Sequence, residues 1–96
     1  MSFSFHPEAA TEFEAAVEWY EERSNGLGLD FAAAIREAIL LAESMPLAWT
    51  RIEGDIRRVL VNRFPYGVLY APDGDHLHIV AVMHLSREPG YWLRRT

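Results

Sequence analysis

Cysteine and lysine are both absent from the 96-residue chain. Without cysteine there is no disulfide framework and no thiolate zinc site. Without lysine, every basic side chain apart from the histidines is one of nine arginines. Arginine offers a planar donor fork suited to phosphate or carboxylate, although genomic base composition is a blander reason for the preference. Long apolar runs are missing as well. The longest, "AILLA" and "IVAVM", fall far short of the roughly 20 residues that span a bilayer. The opening "MSFSFHPEAA" lacks the basic stretch and apolar run of a signal peptide. A soluble, cytoplasmic protein with no membrane partner is expected.

What is present is ordinary globular chemistry, 50% hydrophobic and 24% charged, which excludes a disordered chain. Residues 1–96 are long enough for one domain, which buries roughly two thirds of its unfolded surface. The net charge of −5 argues against simple adhesion to nucleic acid. Its distribution is uneven. Residues 1–50 carry nine acids and two arginines, a balance of −7, and residues 51–96 carry five acids and seven arginines, a balance of +2.

The chain opens with the alternating "SFSF", read as a short strand. Pro7 then suits the first position of a helix. At 100° per residue Ala9, Ala10, Phe13, Ala16, Val17 and Tyr20 share one arc over 7–23, with Glu8, Glu14, Glu18, Glu21 and Glu22 opposite. "SNGLG" breaks this helix. A second runs over 29–45 and ends at Pro46, with Leu40 on its outer side. The short break predicts an antiparallel helical hairpin. Beyond residue 48 the period changes. "IRRVLVNR" (56–63), "GVLYA" and "HLHIVAVMHL" are rich in β-branched and aromatic residues. An Asp73-Gly74 turn pairs Tyr70 with Leu77 and Val68 with Ile79, and puts them on one face with Ala81 and Met83. The "FPYG" connection leaves the register of 56–63 open. The expected architecture is α+β: an N-terminal strand, then an antiparallel helical hairpin packed on an antiparallel meander.

Chemistry concentrates in the histidines, the arginines and the ending. His76 and His78 can share a metal, but His84 lies roughly 20 Å further along the strand, so neither a metal nor any other cofactor is expected. His84 ends a strand three residues before Arg87, where it can titrate near neutral pH. Arg57, Arg58 and Arg63 share one expected strand, with Arg87, Arg94 and Arg95 beyond the sheet. Pro89-Gly90 can turn the chain so that Tyr91 and Trp92 pin the tail against the sheet. That docking would gather the guanidinium groups into one patch. An apolar surface near Trp19 and Leu40 suits an amphipathic helix lying in a groove.

Three stretches, "AVEWYEERSNGLGLDF", "IRRVLVNRFPYGVLY" and "VMHLSREPGYWLRR", resemble the RelE/ParE toxin superfamily, often called plasmid-stabilisation proteins. The likeness runs from about Pro7 to Arg95. It implies the toxin of a type II toxin–antitoxin pair, neutralised by a small antitoxin that wraps its C-terminal segment over it. Trp19, Leu40 and Trp92 are the expected antitoxin contacts. RelE-like members cleave messenger RNA in the ribosome, whereas ParE-like members are described as inhibitors of DNA gyrase. RNA cleavage needs a base, an acid and cations for the phosphate. On that reading the catalytic set is Arg63, His84, Arg87 and Tyr91, with Glu53 as a base and Arg57, Arg58, Arg94 and Arg95 binding target or phosphate. The lysines that RelE-like enzymes carry on the early sheet strands are missing, and the chain is acidic. The "WYEERS…LG…F" helices and "RFPY…Y" strands resemble ParE-like chains more closely. A gyrase inhibitor is therefore the first expectation, a ribosome-dependent mRNA endoribonuclease the second, and a non-toxic relic of the fold the third.

Overall fold

The computed structural model describes residues 2–95. β1 (Ser2–Phe5) leads into α1 (Pro7–Arg23) and α2 (Leu27–Ser44). β2 (Thr50–Glu53), β3 (Ile56–Leu60), β4 (Tyr66–Asp73) and β5 (His76–His84) follow, and Leu93–Arg95 form a 3-10 turn. The strands make one sheet in the order β1-β5-β4-β3-β2. β2 to β5 form the expected antiparallel meander. β1 lies parallel to β5, with Ser2 opposite His76 and Phe5 opposite Ile79, so the sheet is mixed. β2 is a strand that the sequence patterns do not single out.

Local chemistry sets the helix ends. The His6 ring caps α1, its Nδ1 accepting the Glu8 N–H at 3.1 Å, and Pro7 occupies the first helical position. α2 begins at Leu27, two residues before the expected start. Its cap comes from the other helix. The Glu21 carboxylate accepts the N–H groups of Gly26 and Gly28 at 3.0–3.1 Å, a favourable place for negative charge at the start of a helix. A Cβ on Gly28 would stand 2.6 Å from the Val17 carbonyl oxygen. Glycine there lets the two helices touch backbone to backbone.

The sheet is covered on both faces. Phe31, Ile35, Ala38, Val59, Val68, Tyr70, Leu77, Ile79 and Val82 pack between sheet and helices. Ile56, Leu69, Val80, Ala81, Met83 and Trp92 form a second core on the other face. This division corrects the expected alternation. Leu69 faces Ala81 while Tyr70 faces Ile79, so Val80 is an extra residue in β5. A bulge of one residue exchanges the faces of everything beyond it. Ala81 and Met83 therefore turn away from the helices, and Val82 turns towards them. The hairpin register also differs from expectation. Asp73 pairs with His76, leaving Gly74 and Asp75 as the loop. Gly74, at φ 59, takes the first loop position, the place that a II′ loop reserves for glycine. Tyr70 accordingly pairs with Ile79 and Val68 with Val82.

The strand expected over 56–63 stops at Leu60. Arg63 has φ 75, a left-handed conformation that no strand holds. Arg57 pairs with Tyr70 and Arg58 with Leu69, which sends the two guanidinium groups to opposite faces.

Candidate functional site

β1 accompanies β5 only as far as Ile79. Beyond the bulge, side chains satisfy the outward backbone of β5. Glu12 of α1 accepts the Val82 N–H at 3.0 Å, the Tyr91 hydroxyl at 2.7 Å, and Arg95 Nη1 and Nη2 at 2.8 and 3.1 Å. Arg95 Nη1 also donates to the Val80 carbonyl at 3.2 Å. The Arg95 side chain keeps only 9% of its surface exposed. One carboxylate thus ties the first helix, the bulge and the end of the chain together. Burial, then the hydrogen bond and charge of Glu12, pushes the Tyr91 hydroxyl above the usual tyrosine range. The hydrogen bond to Glu12 holds Arg95 more firmly in its charged form.

Between α1, the end of β5 and the tail runs a groove of about 440 Å³. Trp19, Tyr20, Tyr66 and Tyr91 wall it, small Ala15 and Ala16 give it depth, and His84 and Arg87 stand at its rim. The His84 Nδ1 accepts the Ser86 N–H at 3.0 Å, which leaves Nε2 to carry the proton of the neutral ring. The His84 ring lies edge-on to Tyr66, with centroids 5.1 Å apart. Arg87 lies over the Tyr91 ring at 3.8 Å, and Arg23 lies over Trp19 at 3.7 Å. Trp19 remains 51% exposed beneath that cation. A second groove, across the outer sheet face, is lined by Glu53, Arg58, Arg87 and Trp92 among others.

Of the residues nominated from sequence, His84, Arg87 and Tyr91 meet along the first groove. Arg63 does not join them; it pairs with Asp30 of α2 at 3.1 Å. Arg57 donates to the Leu47 and Trp49 carbonyls at 3.1 and 2.8 Å, stitching the turn after α2. Arg58 reaches only the second groove, Arg94 is exposed and Arg95 is committed to Glu12. The tail therefore docks with Arg58, Arg87 and Arg95 beside it, whereas Arg57 and Arg63 are engaged elsewhere. Trp92 is 5% exposed and belongs to the second core, which leaves it almost no surface to offer a partner in this conformation. Trp19 and Leu40 do not share a surface. Gly28 packs against Val17 and Glu21, level with Trp19, and Leu40 lies twelve residues further along α2, roughly 18 Å at the helical rise. Among the described residues no three His, Cys, Asp or Glu side chains are grouped as a metal site needs, and no helix is long and apolar enough to cross a membrane.

No curated protein matches the chain. The family model for the ParE toxin of the type II toxin–antitoxin system parDE matches residues 3–89. The chain belongs to the ParE toxin family. A solved chain of the chromosomal ParDE toxin–antitoxin system from P. aeruginosa shares the fold at a TM-score of 0.62 and 13% identity, covering 90% of this chain and 97% of that one. In this ParE-family chain the fastening at Tyr91, Trp92 and Arg95 lies beyond the matched residues. Two residues of the site escape the sequence reading. Glu12 lies on the flank of α1, about 40° from the buried Ala16 at the helical period, and that position is the one signal for it. Arg23 looks like the ordinary basic end of a helix. Chemically, the groove provides stacking faces and cations. Its carboxylate already has three partners, Val82, Tyr91 and Arg95.

Proposed function

We propose that this ParE-family chain is the toxin of a type II toxin–antitoxin pair, that it acts in the cytoplasm by binding a protein target, DNA gyrase, and that a cognate antitoxin neutralises it. The observation that supports this reading is the commitment of three nominated arginines to internal partners. Arg57, Arg63 and Arg95 are each bound within the protein, and Trp92 fills the outer sheet face. A phosphoryl-transfer site needs its cations focused on one point; here these three serve as structural ties. In a supercoiling assay the purified chain is expected to inhibit gyrase, and co-expression of the small reading frame beside its gene should relieve its toxicity. Gyrase left untouched at high excess would overturn the reading.

One observation favours a second reading, a ribosome-dependent mRNA endoribonuclease: His84, Arg87 and Tyr91 do share a groove. Primer extension on translated messages would then show cuts that vanish in Arg87→Ala. Induced expression that leaves growth, gyrase and messages unchanged would mark a fold retained without toxicity.

A further inference from the structure

Leu40 stands 53% exposed on the outer side of α2, away from the groove beside α1. It belongs to a stripe. At about 100° per residue Leu29, Ala33, Arg36, Leu40 and Glu43 fall within an arc of about 80°, opposite the buried Phe31, Ile35, Ala38 and Ala42. Spacings of four and three alternate along it, the pattern with which one helix lies against another. Arg36 is the one basic residue of α2. Among the described residues neither Arg36 nor Glu43 forms an ion pair.

The stripe is self-complementary about Leu40. Arg36 lies one turn before it and Glu43 just under one turn after, about 6 and 4.5 Å along the axis, and both stand on the same flank. A twofold axis at Leu40 reverses the direction of a second α2 and keeps each residue on its own flank. Leu40 then meets Leu40 of the copy, and each Arg36 comes level with Glu43 of the other chain. Beside the stripe lies an apolar cavity of about 320 Å³, lined by Phe3, Ala32, Ala33 and Ile39 among others. The same axis brings it the turn after α2, where Leu47 is 69% exposed and its carbonyl accepts from Arg57 at 3.1 Å.

We infer that the outer face of α2 is a twofold contact surface for a second copy of this chain, with Leu40 on the axis, reciprocal Arg36–Glu43 ion pairs, and Leu47 of each copy at the Phe3–Ala33 cavity of the other. The inference does not depend on the proposed target. A nucleic acid would find one cation here among Asp30, Glu37 and Glu43, and an anionic membrane surface meets the same repulsion. A second copy answers each charge with its opposite. One helix face is a small interface, so the dimer is expected to be reversible and micromolar.

A chain without cysteine makes the test direct. With copper–phenanthroline and air as oxidant, Leu40→Cys is expected to cross-link to its own copy, since the axis brings the two Cα atoms within the reach of a disulfide. Leu29→Cys, also exposed but roughly 16 Å from the axis at the helical rise, should stay uncross-linked. Sedimentation equilibrium of the wild-type chain from about 1 to 500 μM should show monomers passing to dimers. Arg36→Glu and Glu43→Arg are each expected to raise the dissociation constant about ten-fold or more. The double variant should return to within about three-fold of wild type, because the exchanged charges meet again. Circular dichroism checks that each variant is folded. A wild-type chain that is monomeric throughout, equal cross-linking at both positions, or a double variant no better than the single ones overturns the inference. A monomeric chain whose α2 variants lose the product of the adjacent reading frame assigns this face to that product, and overturns it as well.

Discussion

Glu12 accepts four hydrogen bonds where the first helix, the bulge and the tail meet. Removing its carboxylate strands the Val82 N–H, the Tyr91 hydroxyl and the Arg95 guanidinium, and the guanidinium is nearly buried. Breaking such a pair from one side costs more than the pair is worth, because the remaining charge has no solvent to return to. Glu12→Ala is therefore expected to lower stability by about 3 kcal/mol, and Glu12→Gln by less, since an amide keeps the shape and some of the hydrogen bonds. The urea midpoint measures both, and a Glu12→Ala midpoint equal to wild type would mean that the tail is held by something else. The sequence exposes Tyr91 and Trp92 as anchors because large aromatics near a terminus need a reason. It does not expose their fastening, because Glu12 and Arg95 lie 83 positions apart and each looks like an ordinary surface charge. Arg57 and Arg63 mislead for the opposite reason. Their clustering in the chain suggests a shared site, but a strand alternates its faces and Arg63 leaves the strand altogether.

Among the elements, β5 and the tail carry the departures from expectation. The helices are legible because their apolar period is strong. Only the start of α2 is not, because its cap is supplied by Glu21 from the preceding helix. The bulge at Val80 is invisible in "HLHIVAVMHL", where alternation and a one-residue slip fill the same positions with similar apolar residues. The slip matters, since it gives Val80, Ala81 and Met83 to the outer face and creates the seat for Trp92. Trp92→Ala is expected to cost about 3–5 kcal/mol, which is large against the total stability of a small domain. Thermal unfolding measures it, and binding of a hydrophobic dye by the variant would report the uncovered sheet face. A loss below about 1 kcal/mol would place Trp92 outside the cooperative core.

For the molecule as a whole, all four tyrosines share a direction. Burial raises Tyr20, Tyr66, Tyr70 and Tyr91 above their usual value of 10.0. A group whose folded pKa is raised contributes stability that is fully present below its unfolded pKa and is lost as pH rises towards the folded value. Stability should therefore be insensitive to these groups below about pH 10 and fall steeply above it. Phenolate absorbance is expected to rise together with the loss of helical circular dichroism, and Tyr91→Phe should flatten the alkaline slope more than removal of Tyr20. Gradual ionisation of all four rings around pH 10 in an intact fold would contradict this. The parallel pairing of β1 with β5 has a kinetic consequence. Ser2 and His76, which share a 2.8 Å hydrogen bond, lie 74 positions apart. Closing so long a loop must be paid for in chain entropy before any contact repays it. The leading strand therefore docks late in refolding, and until it does the flank of His76–Ile79 stays open to misassembly.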